Sequence, residues 1–209
     1  MYNNVSTGTQ PHVAMQNLNI SPQGYNLMTD MTFPNSYGGQ MAMATIQGGS
    51  LAPNIRGNVL FKSVPGGTEV SVEVFGLPSY KPAEDSNSPI GPHGFHIHEM
   101  GSCTPLISTE PFTGAGEHWN PDNQPHGNHA GDFPVLFSNH GYARMSFFTD
   151  RFNVADVIGK TVIIHENPDD YRTQPAGNSG KRLACGVIMP VSFSPTPDSP
   201  TYNRYLYWS

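Results

Sequence analysis

The sequence is short of charged residues, of long apolar runs and of basic residues near its start. Only 12% of its 209 residues are charged, and the formal net charge is -6. That balance argues against nucleic-acid binding, which needs a basic surface. No apolar run approaches the length that spans a membrane. The first basic residue is Arg56 and no uninterrupted apolar segment precedes it, so a secretory signal peptide is not expected.

Cysteine is also scarce, whereas glycine and proline are abundant. The two cysteines, Cys103 and Cys185, are compatible with one disulfide, and their number alone leaves two free thiols open. The 22 glycines and 20 prolines are too many for an ordinary helical protein and favour many short strands joined by turns. A chain of this length is sufficient for one domain with extensions.

The composition divides the chain into three parts. Residues 1–40 carry one charge, Asp30, and show neither a helical nor a strand period, so we predict a disordered or loosely packed arm. Residues 41–191 hold the strand patterns and are predicted to form the folded domain. Residues 192–209, with three prolines and a terminal Tyr-Leu-Tyr-Trp, are predicted to be an appended tail.

The central part predicts about eight short strands separated by turns. Val70, Val72 and Val74 alternate with polar Ser71 and Glu73, the period of two that a half-buried strand has. The predicted strands are Met41–Gln47, Gly57–Ser63, Glu69–Phe75, one around His96, Phe133–Ser138, Tyr142–Phe148, Thr161–His165 and Leu183–Val191. This pattern indicates an all-β fold, an antiparallel sandwich or barrel.

One predicted strand carries two histidines on the same face. It lies in the segment H-G-F-H-I-H-E-M-G, which starts at His93 after a Gly-Pro turn. Strand side chains alternate, so His96 and His98 project together while Phe95 and Ile97 face the core. The paired imidazoles form a ready metal chelate. His93 is expected to make structural hydrogen bonds instead of binding a metal.

Other potential ligands follow in a long loop and at the end of a later strand. His118, His126, His129 and Asp132 lie within fifteen residues and supply the four ligands of a closed zinc shell. His165 is expected to join His96 and His98 in a nitrogen-only site, which suits Cu(II). Two four-coordinate sites need eight donors and these positions supply seven residues. The count closes if His118 binds one metal through each ring nitrogen.

Other interpretations of the histidines are weaker. A cupin metal site also uses His-x-His, but its glutamate lies several residues further on, whereas Glu99 follows His98 directly and faces the other way. His12 and His140 stand alone in polar segments and are expected to be solvated.

Four motifs together resemble the copper/zinc superoxide dismutase family, in its bacterial form. They are H-G-F-H-I-H-E, G-E-H-W-N-P, H-A-G-D and G-N-S-G-K-R-L-A-C-G-V-I, within residues 41–191. The resemblance implies an eight-stranded antiparallel Greek-key sandwich or barrel with long metal-binding loops. It implies copper on His96, His98, His118 and His165, and zinc on His118, His126, His129 and Asp132. It also implies a Cys103–Cys185 disulfide, a guiding cation at Arg182 and an outer carboxylate at Asp169 that bonds a ligand of each metal.

The function implied by this resemblance is conversion of superoxide to dioxygen and hydrogen peroxide. A noncatalytic relative that stores metal or serves in a surface assembly is the alternative. A homodimer, attachment to a cell or spore surface through the terminal extensions, and an extracytoplasmic location are further expectations. Only Gly127 and Asn128 separate His126 from His129, which is a shorter zinc loop than the family usually has.

Overall fold

The structure is a computed structural model of the chain, and residues 39–105 and 110–191 are described. The predicted arm lies outside the described residues except for Gly39 and Gln40, and the predicted tail lies wholly outside them. No described helix is long and apolar enough to cross a membrane.

The described residues form one curled antiparallel sheet of seven strands, a half-barrel. Along the sheet the strands lie in the order β4-β6-β7-β1-β2-β3-β5. The strands are β1 Met41–Gly48, β2 Arg56–Val64, β3 Gly67–Phe75, β4 Phe95–His98, β5 Ala143–Thr149, β6 Thr161–His165 and β7 Arg182–Pro190. A 3-10 turn at Thr113–Ala115 and a short helix α1 at Val154–Val157 lie in the connections. The all-β prediction is confirmed.

Alternation of side chains places the core on one face of the sheet. Val70, Val72 and Val74 of β3 are buried, whereas Ser71 and Glu73 between them are partly exposed. Full burial of each valine side chain contributes about 1.5–3 kcal/mol. Strands β2 and β3 form a hairpin, with Val64 paired to Gly67 across a two-residue turn.

The predicted strand Phe133–Ser138 is not a continuous strand. It makes one isolated bridge, Leu136 with His93. Pro134 has no N–H to donate to a ladder, and the N–H of Val135 donates to the hydroxyl of Tyr171 at 2.9 Å. The segment therefore runs beside the sheet without forming a ladder.

Strand β4 lies at one edge of the described sheet and carries the histidine pair. It pairs with β6 on one side only, with His96 opposite Ile163 and His98 opposite Thr161. Phe95 and Ile97 are fully buried in the core, as predicted. The other face of β4 is therefore left for the histidines.

Candidate metal centre

The fold brings the histidines together at β4 and along its outer edge, where the described sheet has no neighbouring strand. On that edge His96 bridges to Asp132 and His98 bridges to His118, which draws the long loop back onto the strand. On the other side, His165 ends β6, the neighbour of β4 in the sheet. His93 is buried, and its Nδ1 donates a hydrogen bond to the carbonyl of His165 at 2.8 Å.

The predicted ligands form two sets of four that share one residue. In each set the residues offer one donor atom apiece, and these atoms lie within 4.8 Å of one another. The first set is His96, His98, His118 and His165, and the second set is His118, His126, His129 and Asp132. His118 is the shared member, as the donor count predicts.

Hydrogen bonds at the outer ring nitrogens of the first set determine which nitrogens are free. His98 Nδ1 lies 3.0 Å from the Gly116 carbonyl, and His165 Nδ1 lies 3.3 Å from the Gly180 carbonyl. A carbonyl only accepts, so both Nδ1 atoms carry the proton and both Nε2 atoms hold lone pairs. These two Nε2 atoms lie 3.3 Å apart. Two lone pairs at that distance repel unless a cation lies between them.

One carboxylate fixes a ring of each set. His96 Nε2 donates to Asp169 Oδ2 at 2.7 Å, and His126 Nε2 donates to Asp169 Oδ1 at 2.8 Å. The Nδ1 atoms of both rings are left unprotonated. Outer partners of this kind set the tautomer and orientation of a metal-binding imidazole.

The inner nitrogens fit a metal because they are buried without hydrogen-bond partners. Among the described residues, the buried atoms in this condition are His96 Nδ1, His118 Nε2, His126 Nδ1 and His129 Nδ1. An unsatisfied buried polar atom costs about 1–3 kcal/mol. Metal ions at the two sets would satisfy all four nitrogens, and the nitrogen and carboxylate donors suit copper and zinc.

Burial keeps the imidazoles in the neutral form that binds metals. Desolvation lowers the pKa of His96 and His98 well below the ordinary value, and it lowers the pKa of His165 to about 3. Burial also lowers the pKa of His129. Metal ions therefore face little competition from protons at neutral pH.

Asp132 supplies the negative charge of the second set. Its burial alone would raise the pKa of the carboxyl group, but the hydrogen bond from His118 and the neighbouring imidazoles lower that pKa overall. Asp132 Oδ1 lies 3.1 Å from His118 Nδ1, and Oδ2 accepts from the backbone N–H groups of Gly127 and His129 at 2.8 and 3.0 Å. The carboxylate thus holds its own loop in place.

Comparison with known proteins shows the family of the chain. The sequence profile described as copper/zinc superoxide dismutase (SODC) matches residues 55–188. The chain belongs to this family. It is 37% identical to the Cu-Zn superoxide dismutase of Deinococcus radiodurans over 155 residues, covering 66% of this chain and 79% of that relative. It is 34% identical to the Legionella pneumophila enzyme of the same name over 140 residues, covering 63% of this chain and 76% of that relative.

A solved structure also matches the fold. The Cu/Zn superoxide dismutase from Brucella abortus is 28% identical, with a TM-score of 0.58, and the match covers 70% of this chain and 98% of that chain. The predicted family and its use of copper and zinc are therefore confirmed.

The disulfide implied by the resemblance is present between Cys103 and Cys185, 82 residues apart in sequence. It joins the loop that follows β4 to strand β7. Cys185 is buried against Phe112, Ala115 and Ile163 in a small apolar cluster of its own. The disulfide therefore connects the loop that contains Cys103 to strand β7 of the sheet.

Arg182 lies at the start of β7 and contacts the segment that contains Phe112 and Gly116. Its Nη1 donates to the Phe112 carbonyl at 2.8 Å and its Nη2 donates to the Gly116 carbonyl at 2.7 Å. The Gly116 carbonyl also accepts from His98, so one peptide oxygen links the guanidinium to the first set. Burial lowers the pKa of Arg182, but a guanidinium keeps its charge in proteins.

Several contributors to the site carry no signal in the sequence. The carbonyls of Gly116 and Gly180 hold His98 and His165, and any residue type supplies a carbonyl. Arg151 donates to the carbonyl of His129 at 2.9 Å, and Gln174 binds the backbone of His126. These partners are brought close only by the fold.

Proposed function

We propose that this chain is a superoxide dismutase that converts superoxide to dioxygen and hydrogen peroxide. The observation that carries the proposal is the position of His118, which belongs to both of the four-donor sets. Retention of every donor in both sets favours an active enzyme over a noncatalytic relative, for which loss of a donor would be expected.

We assign the first set to copper and the second set to zinc. When bound, copper supplies one-electron redox chemistry and zinc supplies a redox-inert positive charge beside the shared imidazole. The residues that would hold copper are those of the first set, His96, His98, His118 and His165. Asp169 fixes the orientation of the His96 and His126 rings through its two hydrogen bonds. Formation of hydrogen peroxide from superoxide needs one electron, which the copper chemistry would supply, and two protons. In this assignment His118 Nε2 would carry one of these protons when it is not holding a metal, and solvent would supply the other.

We assign to Arg182 the attraction of the superoxide anion. Its two hydrogen bonds to carbonyls fix the guanidinium beside His98, and a fixed cation near a cleft raises the arrival rate of a small anion. The chain as a whole is acidic, with a net charge of -6. The local positive charge is therefore the feature that would favour anion entry.

Several finer expectations are also part of this proposal. We infer that the half-barrel is the eight-stranded Greek-key barrel of the family, supported by the bridges of Asp132 and Leu136 beside β4. We infer a location outside the cytoplasm, because disulfides persist in oxidising compartments. A homodimer and attachment to a cell or spore surface through residues 1–40 and 192–209 are proposed from the family and from the composition of these extensions.

Superoxide consumption by copper- and zinc-loaded protein tests the function directly. We expect His165→Ala to reduce the rate by about 100-fold or more, because loss of even an outer partner of a metal ligand costs 10–100-fold. His140→Asn is the matched control, because His140 is exposed outside both sets and has a positive φ of 52°, which Asn tolerates. Equal rates for His165→Ala and the wild type would favour the noncatalytic alternative.

The role of Arg182 predicts a specific dependence on salt. We expect Arg182→Ala to slow superoxide consumption by about 10-fold at low ionic strength and to flatten its decline as salt is added. Arg182→Lys keeps the charge and is expected to keep most of the salt dependence. If Arg182→Ala leaves the salt profile unaltered, Arg182 does not steer the substrate.

A further inference from the structure

The side chain of Gln174 binds both backbone polar groups of His126. Its Oε1 accepts from the N–H of His126 at 2.8 Å, and its Nε2 donates to the carbonyl of His126 at 3.3 Å. The Nε2 group also lies 3.2 Å from the carbonyl of Arg172, within its own loop. The amide plane is therefore fixed on both sides, and 48 residues of chain separate the two partners.

The same loop also holds the ring of His126. Asp169 Oδ1 accepts from His126 Nε2 at 2.8 Å, and this oxygen is itself fixed by the backbone N–H of Tyr171 at 2.7 Å. Ring and backbone of His126 are thus both bound by the loop between β6 and β7. The remaining polar atom, Nδ1, is buried without a hydrogen-bond partner and lies 3.3 Å from Asp132 Oδ2.

The zinc loop has little chain with which to position His126 by itself. Only two residues separate His126 from His129. The backbone of His129 is held by Asp132 at its N–H and by Arg151 at its carbonyl. The carboxylate of Asp132 does not reach the backbone of His126 in any hydrogen bond among the described residues. Gln174 supplies that support from outside the loop.

We propose that Gln174 is a positioning residue for zinc. By binding both backbone groups of His126, it directs Nδ1 toward the other donors of the second set before the metal arrives. The proposal rests on the proposed function only in assigning the second set to zinc. Gln174 is solvent-exposed as a residue, so water can satisfy the backbone N–H and carbonyl of His126 when the side chain is removed. Water does not, however, tie this backbone to the loop between β6 and β7 as Gln174 does. Its loss is therefore expected to affect zinc binding far more than folding.

The test is the zinc affinity of the full-length, metal-stripped protein, measured with Zn²⁺ alone in competition with a chromogenic chelator. Gln174→Met keeps the length of the side chain and removes both hydrogen bonds. We expect it to weaken zinc binding by about 10-fold, the lower end of the effect of outer partners. Gln174→Glu keeps an acceptor for the N–H of His126 and is expected to recover part of the affinity.

Two further measurements separate positioning from a general effect on stability. Co²⁺ bound in place of zinc is expected to show shifted ligand-field absorption in Gln174→Met, while the unfolding midpoint of the metal-free protein stays near that of the wild type. Gln124→Met is the matched control. Gln124 is an exposed amide of the zinc loop that contacts Asp122 and Asn128 but no ligand backbone.

Wild-type zinc affinity and an unshifted Co²⁺ spectrum in Gln174→Met would overturn the proposal, and so would an equal loss of affinity in Gln124→Met. These outcomes leave the dismutase activity of the wild type untouched. A wild-type protein that binds zinc but consumes no superoxide would refute the proposed function, and the effect of Gln174→Met on zinc would still support the positioning role. A wild-type protein that binds no zinc would overturn both.

Discussion

Replacing His118 with alanine is expected to remove tight binding of both copper and zinc. His118 is the one residue that belongs to both donor sets, with Nδ1 3.1 Å from Asp132 and Nε2 buried and unpartnered. Removal of a ligand is expected to cost more than the 10–100-fold that loss of an outer partner costs. We therefore expect affinity for each metal to fall more than about 100-fold and superoxide consumption to be lost. Metal analysis after loading and desalting measures the first effect.

Two single-set variants provide the controls for this experiment. His165→Ala removes a donor from the first set only, so it is expected to lose copper and keep zinc. His129→Ala removes a donor from the second set only, so it is expected to lose zinc and keep most of the copper. If His118→Ala lost only one metal, the shared position of this residue would be disproved. Unchanged zinc in His129→Ala would remove that residue from the zinc set.

The local part of the site could be predicted because it follows from geometry within one element. Strand alternation places His96 and His98 on one face and Phe95 and Ile97 in the core, as the structure has them. The position of His165 depends on the pairing of β6 with β4, which are separated by more than sixty residues of chain. The spacing of residues does not determine that pairing. His165 is expected to join His96 and His98 from the count of donors, and the family resemblance implies the same copper set.

The supporting hydrogen bonds could not be predicted because they involve backbone groups or distant amides. The Gly116 carbonyl serves both His98 and Arg182, yet the residue type says nothing of its oxygen. Gln174 lies in a polar loop with no pattern that points to His126. For the segment Phe133–Ser138 the sequence predicts a strand that the structure does not have. Its apolar composition favours a strand, but Pro134 prevents a continuous ladder.

Removing the Cys103–Cys185 disulfide is expected to cause a large loss of folding stability. The cysteines are 82 residues apart, and the chain-entropy model gives about 4–5 kcal/mol for a closed loop of this length. For a folded part of about 150 residues, each kcal/mol shifts the melting temperature by about 2–4 °C. We therefore expect the metal-free double variant Cys103→Ala/Cys185→Ala to melt roughly 10 °C or more below the metal-free wild type. Alanine avoids placing a hydroxyl in the apolar pocket of Cys185.

Reduction of the wild-type protein separates the effect of the bond from that of the side chains. Metal-free wild type unfolded in the presence of a thiol reductant is expected to lose most of the same stability, since the loop is then open without any substitution. The metal-free state is required because bound metals stabilise the native state by mass action and would hide the difference.

The disulfide also ties the loop that carries Phe112 and Gly116 to β7, the strand that begins at Arg182. The double variant, reloaded with copper and zinc, is therefore expected to show a weaker salt dependence of superoxide consumption, as is expected for Arg182→Ala. Equal melting temperatures for reduced and oxidised wild type would contradict the stabilising role, and an unchanged salt profile would show that Arg182 holds its position without the bond.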